Sequence, residues 1–390
     1  MKKFRFAAPA LLLACGAHAQ TFNVLHAFSG KDGANPVGAV ALNPASTVVY
    51  GTAMAGGGRG DGTLWSLAVG TGKPKFSTLV TFGGGTRGRS PRGALLYTDF
   101  PVNGTVYGTT LGGGTSGYGT VFSYSADGGL SVLHSFAGGA GGEVPYGGVT
   151  LGAFNGIESI YGTTFYGGDM SCGSIGCGTV FGIAPGENFS VLHSFQGSDG
   201  YGPASTLLTF GGQLYGTTVY YAADAGSPFV MNPTSLSLTD FAAPAVNYIG
   251  GLAVDGNSNL WGLAFGGGAH GYGEIYRIDA SGTVSDVYDF SNGSDGACPL
   301  GTLAVGQNNL LYGVTQGVCN WGGQGNGGSG WGTVFQFDTN TNTLTTLHTF
   351  EGSDGGNPQD GVVIDDFGNL YGVAPYGGKN NDGVIYKITL

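Results

Sequence analysis

The sequence has little charge, and basic residues are scarcer than acidic ones. Only 9% of its 390 residues are charged, and 13 lysines and arginines stand against 24 aspartates and glutamates. A chain this acidic would repel phosphate backbones, which argues against a nucleic-acid partner. Beyond residue 19 no apolar run is as long as a membrane-spanning helix, so no transmembrane segment is expected.

The first nineteen residues have the composition of a signal peptide. Lys2, Lys3 and Arg5 precede an apolar stretch, and residues 17–19 (Ala-His-Ala) have the small-x-small form of a cleavage site. We expect residues 1–19 to be removed and the mature protein to be periplasmic or extracellular. Its 10 basic and 24 acidic side chains would give a net charge of −14. An alternative interpretation is a lipoprotein signal, in which Cys15 becomes a lipid anchor.

The chain is instead rich in glycine and aromatic residues, and these recur in order. With 81 glycines, 23 phenylalanines and 20 tyrosines it is typical of short strands joined by tight turns rather than of a disordered chain. Length suggests two or three domains, but a repeat near 50 residues decides otherwise. An aromatic-glycine pair occurs seven times, starting at Tyr50, Tyr107, Tyr161, Tyr215, Trp261, Tyr312 and Tyr371.

Each repeat contains four strand-length segments separated by turns. Gly-Thr-Val-Phe or a variant of it follows each aromatic-glycine pair, and a further segment ends in phenylalanine at Phe28, Phe82, Phe136, Phe195, Phe241, Phe290 and Phe350. Four strands in seven units predict an all-β fold, a seven-bladed β-propeller of antiparallel sheets. We expect one propeller over residues 20–390, with blades near 36–82, 91–136, 145–195, 203–241, 248–290, 299–350 and 358–388.

The two ends of the chain complete one blade in this interpretation. Residues 358–388 lack a fourth strand, and residues 22–28 form a fourth strand without a blade, so the ring is expected to close through them. Each blade should approach the propeller axis at a small residue, since glycine permits close contact there. These residues are Gly38, Gly93, Gly147, Ser205, Gly251 and Gly301.

Five of these elements in fixed order resemble a known family. They are Leu-Tyr-Gly-Thr-Thr at 214–218, Gly-Gly at 112–113, Gly-Thr-Val-Phe at 119–122, Leu-His-Ser-Phe at 192–195, and Asp-Gly-x-x-Pro at 199–203. The match extends over residues 21–390 and resembles the GloVer (Gloeo/Verruco) tandem-repeat family of exported bacterial proteins. The resemblance implies a β-propeller-like protein and no defined activity.

Histidine is the first residue type to consider for catalysis. His26, His134, His193 and His348 occupy the same place in four units, which favours a structural role such as a hydrogen bond between blades. His270 is not repeated and is an outside candidate for a catalytic residue. Aspartates recur in the turn before the prolines, at Asp32, Asp199, Asp295 and Asp354. Calcium binding there is conceivable, but one carboxylate per turn favours turn formation and no cofactor.

Four cysteines remain after removal of the signal peptide. An even number in an exported protein favours disulfides, and a zinc site is the weaker alternative because the usual ligand spacing is missing. Cys172 and Cys177 share one turn. Cys298 and Cys319 lie in two loops expected on the same face of the sixth blade, so we expect these two pairs.

The longest loops, 165–177, 220–227 and 316–331, are expected on that same face. Functional residues concentrate on loops held by a rigid scaffold, and exposed aromatic rings suit sugars or partner proteins. An equally simple interpretation is that the rings pack the loops down. The ligand-binding candidates are Tyr166, Tyr220, Tyr221, Phe265, Trp321, Trp331 and Tyr376.

The sequence favours a non-enzymatic exported propeller that binds a glycan or protein through its loop face. No paired acid-base constellation stands out among the unrepeated residues. The alternative is a secreted lyase or hydrolase: residues 251–276 loosely resemble blades of the seven-bladed streptogramin lyases, in which a histidine acts as base, and His270 would take that role. A scaffold without a small ligand is a third possibility.

Overall fold

The computed structural model describes residues 20–99, 104–154, 156–186, 188–221, 225–244, 246–317, 319 and 330–390. The signal-peptide and Cys15 predictions therefore lie outside the described residues. In the described part, thirty short strands form seven separate antiparallel sheets, three 3-10 helices lie in loops, and there is no α-helix. None of these helices is long and apolar enough to span a membrane.

The first four blades follow one another along the chain. The first contains β2 (Ala41–Leu42), β3 (Val48–Ala53), β4 (Thr63–Ala68) and β5 (Lys75–Thr81). The second contains β6 (Arg89–Pro91), β7 (Leu96–Thr98), β8 (Thr105–Gly112), β9 (Thr120–Ser125) and β10 (Gly129–Ser135). The third contains β11 (Thr150–Phe154), β12 (Ile157–Thr164), β13 (Thr179–Ala184) and β14 (Asn188–Ser194). The fourth contains β15 (Tyr201–Pro203), β16 (Leu208–Phe210), β17 (Gln213–Tyr221), β18 (Ala225–Met231) and β19 (Leu238–Asp240).

The other three blades have the same order from the innermost to the outermost strand. The fifth contains β20 (Ala253–Val254), β21 (Leu260–Ala264), β22 (Glu274–Ile278) and β23 (Val284–Asp289). The sixth contains β24 (Pro299–Val305), β25 (Leu310–Thr315), β26 (Thr333–Asp338) and β27 (Thr343–Thr349). The seventh contains β28 (Val363–Ile364), β29 (Leu370–Ala374), β30 (Val384–Thr389) and, from the other end of the chain, β1 (Thr21–Ala27). The 3-10 helices are Gly85–Arg87, Gly139–Gly141 and Met170–Cys172.

The predicted seven-bladed β-propeller is confirmed. β1 pairs antiparallel with β30 from Thr21 opposite Thr389 to Ala27 opposite Val384. The hydrophobic core consists mainly of one cluster between each pair of neighbouring blades, and the seventh and first blades share such a cluster, which includes Phe28 and Trp65. Each sheet is thus covered on both faces by its neighbours, which explains why its central strands are apolar throughout.

The repeated phenylalanine joins one blade to the next. Phe82 at the end of the first blade meets Phe122 of the second edge-on, with ring centroids 5.3 Å apart. Phe350 meets Tyr386 in the same way at 5.3 Å, and Phe28 meets Trp65 at 5.9 Å. Each edge-to-face pair of this kind adds about 0.5–1.5 kcal/mol beyond the burial of its two rings. Two of the repeated motifs are therefore the two halves of one contact between blades.

The aromatic-glycine pair and the threonines are explained within a blade. A Cβ atom on Gly51 would come within 2.1 Å of the Trp65 ring on the neighbouring strand, so only glycine fits. The hydroxyl groups of Thr110 and Thr120 are hydrogen-bonded across β8 and β9 at 2.8 Å. The same threonine pair recurs in the third and sixth blades. The repeated motifs are thus explained by packing. Functional residues are therefore expected in the loops that differ between repeats.

The small residues approach their neighbours near the axis as predicted, with one correction. A Cβ on Gly93 would lie 2.5 Å from the carbonyl oxygen of Gly147 in the next blade. In the fifth blade the equivalent residue is Gly250, which faces the carbonyl oxygen of Gly301, and not the predicted Gly251, which faces the Thr302 side chain. The seventh blade places Asp360 at this position, the one departure from small residues.

Candidate functional site

One face of the propeller carries two sets of loops and is called the loop face here. The first set joins the second and third strands of each blade, and the second set joins successive blades. The two sets are linked by isolated β-bridges, for example Glu143 with Tyr166 and Gly356 with Tyr376. Among the described residues, the opposite face carries the hairpins that join the first strand of a blade to the second and the third to the fourth.

The repeated histidines are structural, but their hydrogen bonds stay within their own turns. The Nε2 atom of His26 lies 2.9 Å from Oδ2 of Asp32, six residues further along the chain. The ring of His26 stacks on Phe76 of the next blade, with centroids 3.8 Å apart. The predicted hydrogen bond between blades is thus wrong, since stacking makes that contact. His134 stacks on Phe189 in the same way, and the histidine-aspartate bond recurs at His193–Asp199 and His348–Asp354.

The repeated aspartates form the turns that precede the next blade. Oδ1 of Asp32 accepts the backbone N–H of Ser29 at 2.8 Å, and Asp295 accepts those of Ser291 and Gly293. Asp199 and Asp354 accept the N–H groups of Gln196 and Glu351. In each turn the oxygens of the repeated aspartate already accept protein hydrogen bonds, and calcium requires six to eight oxygen ligands.

The two expected disulfides are present. Cys172 is bonded to Cys177 within one turn of the third blade, and Cys298 is bonded to Cys319. Cys298 and Cys319 are buried in a cluster with Ile249 and Leu300 beside the axis. The second disulfide therefore fixes the start of the sixth blade's long loop to the innermost strand.

The predicted aromatic residues do not form one surface. Trp331 and Tyr376 are 41% and 37% exposed on the loop face, and Tyr166 is half-buried. Phe265 is buried, and the prediction that it is exposed was wrong, because the ring turns inward against the axial cluster. The backbones of Tyr220 and Tyr221 end β17; their side chains, like the whole of Trp321, lie outside the described part of the chain.

A further exposed aromatic residue was missed. Tyr118 is 42% exposed and, like Trp331, immediately precedes a Gly-Thr-Val-Phe motif. Both rings lie over a glycine of the next loop between blades: a Cβ on Gly138 would be 3.0 Å from the Tyr118 ring, and one on Gly356 2.4 Å from that of Trp331. The common position before the motif is the signal that identifies both.

The residues that follow the repeated prolines surround the axis. The sequence also indicates this position, because six of the seven blades begin with proline. The cavity that these residues line has a volume of 40 Å³, enough for a few water molecules, so a larger ligand has to bind at the mouth of the axis rather than inside it. The residues are Val37, Arg92, Tyr146, Ala204, Ile249, Leu300 and Gln359.

These seven residues, called the axial ring here, have a polar side and an apolar side. The guanidinium carbon of Arg92 lies 4.1 Å from the centre of the Tyr146 ring, a cation–π contact, and Nη2 donates a hydrogen bond to Oε1 of Gln359 at 3.3 Å. Burial is the main cause that raises the pKa of Tyr146, so its hydroxyl group remains protonated. The three polar residues come from the seventh, second and third blades, with Val37 of the first blade between Gln359 and Arg92, and the fourth to sixth blades supply the apolar side.

Asp360 adds a carboxylate to the polar side. Its Oδ2 accepts the N–H of Ala39 in the first blade at 2.9 Å, and its Oδ1 accepts the N–H of Gly361. Atoms of the ring surround the carboxylate, and this burial raises its pKa, although Arg92 and the backbone N–H groups act in the opposite direction. The mouth of the axis therefore contains guanidinium, carboxylate, amide and phenol groups together.

His270 lies apart from these groups. It is exposed in the turn at 268–272, and its ring has no hydrogen bond or ion pair with any described residue. A general base is normally oriented and supported by a second group. The structure brings none to His270.

Three carboxylates of the fifth blade lie close together. Glu274, Asp286 and Asp289 place one oxygen each within 4.8 Å of one another, a donor set that could hold a divalent cation. Burial first, and then the charge of Asp286, raises the pKa of Glu274 to about 7. Burial and the charge of Asp289 raise the pKa of Asp286 to about 6. This group lies on β22 and β23, the two outer strands of the blade, and not in the axial ring, and it was not predicted.

Fold and site together define a class: a tandem-repeat propeller in which the same packing between blades is repeated around the ring. The chain belongs to the Gloeobacter/Verrucomicrobia repeat family, whose model matches residues 13–229, 158–319 and 226–390 in overlapping copies. The resemblance found in the sequence is thus confirmed over the whole chain. No curated protein matches the sequence.

Similar solved structures share the propeller fold. Oligogalacturonate lyase in complex with manganese has a TM-score of 0.56 and 11% identity, over 92% of this chain and 89% of that one. The tricorn protease (TM-score 0.44, 11% identity, 82% of this chain) and TolB from Acinetobacter baumannii (0.37, 13%, 70%) are more distant. This chain spans 26% and 60% of those two chains. At such identities the likeness shows the fold alone.

Proposed function

We propose that the mature protein is an exported, non-catalytic binding module that holds a carbohydrate on its loop face, at the mouth of the propeller axis. The observation that carries this proposal is the polar side of the axial ring, where Arg92, Tyr146 and Gln359 contact one another beside Asp360. These groups depart from the small or apolar residues that the other blades supply.

The chemistry of this site suits sugars. Hydroxyl groups of a sugar are both donors and acceptors, and planar guanidinium, amide and carboxylate groups can bind them in pairs. The Tyr146 ring, one face of which Arg92 covers, adds an aromatic surface and a phenol group to this site. Trp331, exposed at the rim, extends the same kind of contact outwards. The shallow site suits one part of a longer glycan rather than an enclosed small molecule.

The proposed export and the proposed non-catalytic role are supported by separate observations. Two disulfides are typical of oxidising compartments outside the cytoplasm, in agreement with the signal peptide expected at residues 1–19. A lyase or hydrolase would require a positioned base, and His270 is exposed without a described partner.

Affinity electrophoresis of residues 20–390 against neutral and acidic polysaccharides tests the proposal. We expect retardation by at least one polysaccharide and a loss of about tenfold or more in affinity for Tyr146→Ala, because binding energy concentrates in a few central aromatic and arginine residues. Trp331→Ala should weaken binding less, since it lies at the rim.

Phe367→Ala is the matched control. Phe367 is 82% exposed in a hairpin of the opposite face, so its removal should leave binding unchanged. Retardation by none of the polysaccharides, or an equal effect of Tyr146→Ala and Phe367→Ala, would contradict the proposal. The first outcome would favour a scaffold without a carbohydrate ligand.

A further inference from the structure

Basic residues are unevenly distributed along this acidic chain. Residues 62–98 contain no aspartate or glutamate but five basic residues, and Arg59 lies just before them. Lys73 and Lys75 of this set lie at the hairpin of the opposite face. The other four are arginines: Arg59, Arg87, Arg89 and Arg92.

These four arginines form a stripe on the loop face between the first and second blades, called the arginine stripe here. Arg59 and Arg87 line one shallow depression of about 660 Å³ near the rim. Arg87 ends a 3-10 helix, Arg89 begins β6, and Arg92 follows β6 in the axial ring. At about 3.3 Å per extended residue, Arg89 and Arg92 are roughly 10 Å apart along the chain. The stripe therefore runs from the rim to the mouth of the axis.

Three of the guanidinium groups are unpaired. Arg59, Arg87 and Arg89 are exposed, and none forms an ion pair or side-chain hydrogen bond with a residue that the structure describes. The side chains of Arg59 and Arg89 lie over glycine backbone: Cβ atoms on Gly83 and Gly112 would meet them at 3.1 and 2.7 Å. The guanidinium N–H groups of Arg59, Arg87 and Arg89 are thus free to bind a ligand.

Two acidic residues border the stripe. The carboxylate of Asp61 lies beside Gly84 near the rim and forms no ion pair with Arg59, Arg87 or Arg89. Asp360 lies at the axial end, where its oxygens accept backbone N–H groups. Charges further away are screened within about 8–10 Å at moderate salt, so the net −14 expected for the mature chain does not cancel the local field.

We propose that the arginine stripe binds the acidic groups of an anionic polysaccharide whose chain runs from the rim to the axial ring. Arginine binds carboxylate and sulfate groups through two parallel hydrogen bonds, and a row of arginines fits charges repeated along a polymer. At the axial end, Tyr146 and Gln359 offer contacts for sugar hydroxyl groups. This assignment rests on the proposed carbohydrate binding and adds the charge of the ligand.

Alginate and its carboxyl-reduced counterpart are the probes, with residues 20–390 of the protein. We expect alginate to bind about tenfold or more tightly than the reduced polymer at 50 mM salt, and its affinity to fall as salt rises, because counterions are released. Arg87→Gln/Arg89→Gln should reduce the affinity for alginate about tenfold and make it less dependent on salt. Both residues are exposed and unpaired, so the melting temperature should not change.

Lys73→Gln/Lys75→Gln is the matched control, since it removes two positive charges from the opposite face. An equal effect of the two double variants would overturn the stripe as the site. Equal binding of alginate and its reduced form would overturn the anionic ligand while leaving carbohydrate binding intact. Single-stranded DNA bound as tightly as alginate would overturn the assignment to a polysaccharide. Binding of no polysaccharide at all would remove both proposals.

Discussion

Removal of strand β1 tests how the propeller is held together. β1 supplies the outermost strand of the seventh blade, and Phe28, the residue just after it, is fully buried against Trp65 and Phe76 of the first blade. Replacement of a buried phenylalanine by alanine costs about 3–5 kcal/mol. Phe22 adds stacking on His348, with centroids 3.6 Å apart.

The deletion should therefore cost a large part of the stability. Folded proteins are stable by about 5–15 kcal/mol, and the loss of Phe28, Phe22 and the strand pairing together approaches this range. A chain that begins at residue 30 should melt at least about 10 °C below the chain that begins at residue 20, because each kcal/mol lowers the melting temperature by about 2–4 °C in a protein somewhat smaller than this one.

Differential scanning calorimetry of both chains gives the answer, and two point variants locate it. Phe28→Ala should account for a substantial part of the loss. Val24→Ala, in the same strand but 42% exposed, should change the stability by no more than about 0.5 kcal/mol. An unchanged melting temperature for the chain that begins at residue 30 would refute the reasoning, because closure of the ring would then not depend on β1.

Two further predictions concern pH. Burial lowers the pKa of His26 and His348 below 6.5 in the folded protein, although Asp32 and Asp354 oppose the shift, so unfolding takes up protons. Their contribution to stability is complete above pH 6.5 and is lost as pH falls towards the folded pKa; the melting temperature should drop between pH 7 and 5, and less so in His26→Gln/His348→Gln. An equal drop in both proteins would argue against this cause. The pKa of Glu274 is raised to about 7 from 4.5, so ionised Glu274 destabilises the fold at higher pH. Glu274→Gln should raise the free energy of unfolding at pH 8 by about 2–3 kcal/mol and leave it nearly unchanged at pH 4, measured by urea denaturation; a gain at both pH values would contradict it.

The repeat pattern was sufficient to predict the fold, because the residues of each motif form a contact that recurs in most blades. Phe82 needs an aromatic partner such as Phe122 in the next blade, and Gly51 leaves room for the Trp65 ring. A pairing that is repeated leaves a visible period in the sequence. The disulfides followed similarly, since cysteines in neighbouring loops of one face can meet.

The site was less visible because its residues are defined by departures from the period. Phe265 looked like an exposed loop residue, but its ring turns inward against Ile249 and Leu300. Asp360 occupies a position where the other blades have a small residue. Only the arrangement of the seven blades around an axis shows that this position lies in the candidate site.

The sequence by itself determined the number of blades, the strand order and the residues that pack between blades, because these depend on local period and on contacts repeated between neighbours. Only the tertiary structure decided which unrepeated residues meet. Arg92, Tyr146 and Gln359 lie 54 to 267 positions apart in the chain, and the ring brings them together because every blade starts at the axis. The periodic sequence specifies a closed ring of blades, and closure of the ring creates the axis, where residues of all the blades meet.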